Sequence, residues 1–192
     1  MNLKGLLVAT LVVFGVSSAQ AGLTIEPFLG TSVSGELKSD APDSLVGSGT
    51  DLSSLTYGAR LGYGMLGFSG GLEYRMGTGE IDDNGTKSDN KTTTLGLYAG
   101  YNFPILVRAW VGYSLSHKVT VEQSTGGDVD LTGTNMSVGV GFTGLPFVSI
   151  NVEYHMVEFD EMEQAGTKTD LTSTDGNLIM VTVSAPLAIP FL

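Results

Sequence analysis

Few side chains in this 192-residue chain could act on a proton, a metal or an acyl group: it has two histidines and no cysteine. His117 follows Ser116, and an imidazole beside a hydroxyl is the pairing that activates a serine for acyl transfer. Both residues lie in a segment that alternates like a strand, where neighbouring side chains leave opposite faces. They therefore form no dyad by themselves; the pattern predicts His117 outward, near the outer end of its strand. His155 lies two residues beyond Glu153, on the same face. Gly79-Glu80-Ile81-Asp82-Asp83-Asn84-Gly85 opens like a calcium loop, but Lys91 stands where the closing Glu belongs. It reads as a solvated acidic segment with weak cation affinity. No metal site and no cofactor are expected.

The remaining charges are sorted by position. Arg60, Arg75 and Arg108 are the only arginines, and they alternate within apolar segments alongside Glu26, Glu73 and Glu153. The five Lys beyond residue 21 and the other 17 acids lie in polar segments or at a strand's outer end, giving those segments a charge of −12. Arg suits a buried, geometrically fixed pair better than Lys does, and a buried charge needs a partner. Glu26, Arg60, Glu73, Arg75, Arg108, Glu153 and His155 are therefore expected to form one interior network, filled out by Tyr98 and Trp110. The acidic segments would repel nucleic acid and favour divalent cations or basic partners.

Strands must carry these residues. In 66–76, Leu66, Phe68, Leu72, Tyr74 and Met76 share one face, and Gly67, Ser69, Gly71, Glu73 and Arg75 the other. The same alternation recurs in 23–30, 54–63, 92–101, 105–121, 131–142, 147–159 and from 176 to 187 or beyond. That makes eight strands. Tight turns are expected at Gly64-Met65, Asn102-Phe103-Pro104 and Thr143-Gly144-Leu145-Pro146. Long polar loops are expected over 31–53, 78–91, 122–130 and 160–175. Pro27 cannot donate to a sheet ladder and suggests a bulge. The fold class is all-β, an eight-stranded antiparallel up-and-down barrel.

The chain opens with a basic Lys4, an apolar run over 6–16 and Ser17-Ser18-Ala19-Gln20-Ala21. That reads as a signal peptide over 1–21, with the barrel in 22–192. No later stretch approaches the eighteen apolar residues of a membrane helix.

Such a barrel could turn its apolar face inward, as a soluble ligand holder, or outward onto lipid. Three features favour lipid. The polar face is crowded with Gly and Ser, as a narrow lumen requires. On the apolar face Arg would cost about 2–4 kcal/mol at the bilayer midplane, so the three Arg must point inward. Aromatics also cluster at two heights. Tyr63, Phe68, Tyr101, Phe142 and Phe147 lie near the tight turns, and Tyr57, Tyr74, Tyr113 and Tyr154 lie higher. At roughly 3.3 Å per residue and about 40° of tilt the two rings are on the order of 15–20 Å apart, as interfacial girdles would be.

Signal peptide, eight alternating strands, tight turns at one end and acidic loops at the other resemble the small outer-membrane β-barrels of Gram-negative bacteria, of the OmpX and OmpA transmembrane-domain type. The resemblance implies a transmembrane, porin-like fold in the outer membrane, with periplasmic turns and cell-surface loops. It implies contact with outer-membrane lipids, insertion by the barrel assembly machinery and a monomer. That machinery usually reads a terminal aromatic residue; here Phe191 is penultimate and Leu192 last. No counterpart of OmpA's peptidoglycan-binding domain is expected. The leading expectation is a non-enzymatic structural or adhesive barrel whose loops contact an extracellular partner. The alternatives are a lipid A-modifying enzyme using His117, and a small ion pore gated by the Glu/Arg pairs.

Overall fold

The computed structural model describes residues 21–39, 52–83, 86–122 and 127–190. Nine strands run through them: β1 (Gly22–Ser39), β2 (Leu52–Met65), β3 (Phe68–Asp83), β4 (Thr86–Phe103), β5 (Val107–Val121), β6 (Val129–Phe142), β7 (Ser149–Gln164), β8 (Thr167–Ser184) and the short β9 (Leu187–Pro190). Each pairs antiparallel with the next from β1 to β8, and β1 pairs with both β2 and β8, which closes an eight-membered ring. Closure leaves no open sheet edge. β9 continues β8 along β1 after Pro186, where the ladder lapses. The register is unchanged across that gap, from Phe28↔Ser184 to Ile25↔Leu187. The Pro27 carbonyl accepts the Ala185 N–H at 2.9 Å.

Burial follows the alternation. On β7, Ser149, Asn151, Glu153 and His155 are buried, while Ile150, Val152, Tyr154 and Met156 are exposed. The arrangement is inverted relative to a water-soluble protein, whose polar side chains face out. A soluble barrel with an apolar interior is thereby excluded. The packed interior is the lumen, where Phe28, Tyr98, Trp110, Phe159 and Met180 sit among buried polar groups.

Several sequence expectations are corrected. The strands are longer: β3 and β4 stay paired up to Asp83↔Thr86, and β7 and β8 up to Gln164↔Thr167. The polar segments 78–91 and 160–175 are thus largely hairpin, because polar Thr-rich sequence still favours extended backbone. Gly79–Asp83 is strand rather than a calcium loop; the side chains from Glu80 to Ser88 lie outside the described residues, as do 84–85. Most of the expected signal peptide, residues 1–20, also lies outside them, as do 40–51, 123–126 and 191–192. The first tight turn is Leu66-Gly67, both at positive φ (54° and 86°), two residues beyond the expected place. That backbone suits a two-residue hairpin. The irregularity in β1 falls between Ser32 and Ser34 rather than at Pro27.

The correction with most consequence is in β5. The β4–β5 register shifts at Leu95/Gly96 and the β5–β6 register between Tyr113 and His117, each leaving one extra β5 residue near Leu115. A bulge of this kind flips every later side chain to the other face. His117 is therefore buried, at 4 % exposure, while Ser116 stays exposed.

Small residues give the lumen its room. A Cβ on Gly139 would lie 2.2 Å from the Trp110 ring. Gly139→Val should therefore destabilise the barrel by about 1–3 kcal/mol through overpacking. Adding Trp110→Ala should recover part of that loss. Urea unfolding of the folded protein in micelles measures both; an unchanged midpoint for Gly139→Val would contradict this packing.

Candidate functional site

Six charges meet in the lumen, and the ladder register brings three of them together. Arg60 on β2 is the direct cross-strand partner of Glu26 on β1 and of Glu73 on β3. Its Nε donates to Glu73 Oε2 at 2.6 Å, Nη1 to Glu26 Oε1 at 3.4 Å and Nη2 to Glu153 Oε1 at 3.2 Å. Arg75 lies two residues from Glu73 on the same face; it donates to Glu73 Oε1 at 3.0 Å and to Glu153 Oε2 at 2.5 Å. Arg108 on β5 reaches across to β1 and grips Glu26 with both terminal nitrogens, Nη1 at 2.7 Å from Oε2 and Nη2 against Oε1. That two-point fork is the strongest geometry open to an Arg–carboxylate pair.

Burial is complete where the charges converge: Arg60 is 1 % exposed and Glu153 0 %. Ions removed from water so fully persist only if each is neutralised and hydrogen-bonded. Three Arg and three Glu balance, and polar neighbours take up further sites. Thr182 donates to Glu153 Oε1 at 2.9 Å, and Asn151 Oδ1 accepts from Arg108 Nη2 at 2.8 Å. Arg75 Nη1 lies 3.1 Å from His155 Nε2, and His155 Nδ1 lies 3.2 Å from Asn135 Oδ1. His155 Nε2 also lies 3.2 Å from Glu153 Oε2; a guanidinium can only donate and a carboxylate can only accept, so Nε2 serves Arg75 when bare and Glu153 when protonated, one at a time.

Aromatic rings fill the space between the cations. The Phe28 ring lies 4.9 Å from the Arg75 guanidinium carbon and 5.0 Å from that of Arg60. The Trp110 ring lies 4.6 Å from that of Arg60 and 4.7 Å from that of Arg108. The order Arg75–Phe28–Arg60–Trp110–Arg108 is a continuous cation–π stack. Trp110 Nε1 and Ser149 Oγ are the buried side-chain polar atoms without a partner among the described residues.

His117 Nδ1 lies 2.8 Å from Thr94 Oγ1, and its ring is 5.7 Å from Phe159. It faces the lumen, on the opposite side of its strand from Ser116. Sequence reasoning had it on the lipid side, because a bulge has no mark in a single sequence. Asn151, Thr182 and Ser184 belong to the network and went unremarked; all three share the inward face with charged or polar neighbours. Among the described residues no three His, Asp or Glu cluster to hold a metal ion.

Of the nine aromatic residues placed in two rings, Tyr57, Tyr63, Phe68, Tyr74, Tyr113, Phe142, Phe147 and Tyr154 are exposed. Tyr101 is half-buried, its ring 4.6 Å from Phe68 and 4.9 Å from Phe103. At the outer rim Lys91 pairs with Glu122 at 2.5 Å, Lys118 with Asp130 at 2.9 Å and Lys168 with Glu161 at 2.7 Å. The Glu122 hydrogen bond raises the Lys91 ammonium above its ordinary range. The Thr120 hydroxyl, and then Lys118, hold the Asp130 carboxyl below its own.

Removing one charge from the network leaves its partner buried and unmatched. Glu153→Gln should cost about 3–5 kcal/mol, and Glu73→Gln and Arg108→Met should act in the same direction. Equilibrium unfolding in detergent measures this; wild-type midpoints for all three would contradict the network's role.

The model of the outer membrane protein beta-barrel domain matches residues 6–184. Neisserial surface protein A has a similar structure, with a TM-score of 0.54 at 13 % identity over 86 % of this chain and 97 % of that one. So does Ail, the attachment invasion locus protein of Yersinia pestis, in its complex with the heparin analogue sucrose octasulfate; its TM-score is 0.55 at 11 % identity over 88 % of this chain and 99 % of that one. At such identities the likeness is one of fold. No curated protein matches the chain. A ring of eight antiparallel strands, apolar outside and charged within, together with this family match, makes the chain a member of the outer membrane protein β-barrel family, resident in the outer membrane.

Proposed function

We propose that the protein is a non-enzymatic scaffold: a plugged, monomeric barrel that holds acidic hairpins at the cell surface for contact with basic partners or divalent cations. The observation that carries this reading is the filled lumen. Three interlocked Arg–Glu groups and the Phe28 and Trp110 rings occupy the cross-section. Eight strands leave room for side chains and little else.

The outer charge supports the second half. The segments beyond the apolar belt carry 17 acids against five Lys. The three of those Lys whose side chains are described, Lys91, Lys118 and Lys168, are already held by acids. A polyanion such as the sucrose octasulfate bound by Ail would meet repulsion here, whereas cations would be drawn in. The lipid A-modifying alternative relied on His117 facing lipid, and that residue is buried in the lumen. A gated ion conductance remains the second reading. It is favoured by Arg60, which divides its donors among three carboxylates and holds Glu26 at only 3.4 Å. Exchange of those bonds would open a path.

Two measurements test the proposal on purified protein. In planar bilayers the wild type should show no stable conductance steps. In nanodiscs it should bind polylysine in a salt-sensitive manner and ignore sucrose octasulfate. Regular open-channel steps would favour the pore, and octasulfate binding would overturn the acidic contact surface.

A further inference from the structure

The tight-turn end of the barrel carries no charged side chain. Residues 61–72, 95–107, 136–152 and 176–192 contain no Asp, Glu, Lys or Arg. They include all three short turns, the foot of most strands and the last strand. Turns that end in water normally use Gly, Asn, Asp or Ser. These present Leu66, Ile105, Leu106 and Phe147 instead, with Phe147 86 % and Ile105 73 % exposed.

The backbone points the same way. Each turn holds one bulky apolar residue in the left-handed region: Leu66 at φ 54°, Leu106 at 62° and Phe147 at 64°. A branched or aromatic side chain is disfavoured there, and glycine would relieve the strain. Something must favour an apolar side chain at those positions.

Continuity of the apolar wall supplies the reason. On β2 the outward residues Leu55, Tyr57, Leu61, Tyr63 and Met65 are all exposed and rise on the order of 25 Å along the membrane normal, taking about 3.3 Å per residue and about 40° of tilt, so the apolar band of about 25 Å runs down to the turn itself. The exposed apolar turns lie at its lower edge. They are continuous with the lipid-facing surface, with no charged ring between.

We propose that the turn end is a lipid-docking surface: the three turns and β9 are sunk into the acyl–headgroup boundary of the adjoining phospholipid leaflet rather than projecting into water. The partner is phospholipid, recognised by apolar area without charge. The barrel would then sit low in the membrane, its lower mouth covered by lipid and its long hairpins standing clear on the other side. This goes beyond the scaffold reading and stands whether or not the hairpins bind a cation or a basic partner.

The chain has no native cysteine, so single-cysteine variants can report position. Phe147→Cys and Ile105→Cys, carrying an environment-sensitive NBD label, are refolded into phospholipid vesicles and compared with Ala165→Cys in the outer hairpin turn. Resistance to heat-induced mobility change confirms that each variant is folded. The expected result is blue-shifted emission at 147 and 105, quenched by doxyl-labelled phospholipid and resistant to iodide, with the opposite at 165. Water-like emission at both turn sites would overturn the proposal. Protection that disappears as protein is diluted into excess lipid would also overturn it, since a second copy would then be the cover.

Discussion

A charge inside a tube walled by hydrocarbon can survive only beside its opposite. That constraint governs this barrel. Arg60 supplies the centre, touching Glu26, Glu73 and Glu153, and Arg75 and Arg108 complete the balance from either side. The three carboxylates come from β1, β3 and β7 and the guanidiniums from β2, β3 and β5, so the network joins ladder neighbours and, through Arg108–Glu26, Arg60–Glu153 and Arg75–Glu153, strands that share no ladder. Replacing it with apolar groups would raise no objection on stability alone. Its retention fits a lumen that must stay polar and specifically packed.

The same constraint explains the small residues opposite the network. Gly139 opens the space that Trp110 occupies, and an added methyl there would strike the indole ring. Phe28 and Trp110 then insulate the guanidiniums from one another while attracting each. The result is a lumen filled at this level by side chains. Above it the lumen buries Thr94, Asn135 and His117, and beyond them the hairpins take up the acidic charge. Chemistry is thus graded along the axis: apolar turns, balanced ions, neutral hydroxyls and amides, then excess carboxylate.

Much of this was legible in the sequence, for a physical reason. A period of two is strict, so the inward position of Arg60, Arg75, Arg108 and their Glu partners followed from parity alone. What parity cannot give is a break in parity. The extra residue near Leu115 moved His117 from the wall to the lumen and carried no compositional mark. The first two turns fall about two residues beyond the expected place because Leu66 and Leu106 sit in left-handed conformations that bulky residues seldom adopt; the third starts at Thr143 as expected and runs on through Phe147 to β7. Pairings across the lumen, such as Arg108 with Glu26, depend on how the sheet staggers as it closes, and no local pattern encodes that stagger.

The account rests on those cross-lumen pairs being energetically coupled and not merely adjacent. A double-mutant cycle on Arg108→Met and Glu26→Gln, followed by equilibrium unfolding in lipid-like micelles, measures the coupling directly. The account predicts that the double variant is more stable than the sum of the two losses implies, with a coupling of about 1–3 kcal/mol. Simple additivity would mean that the two charges do not depend on each other, and the central claim would fail.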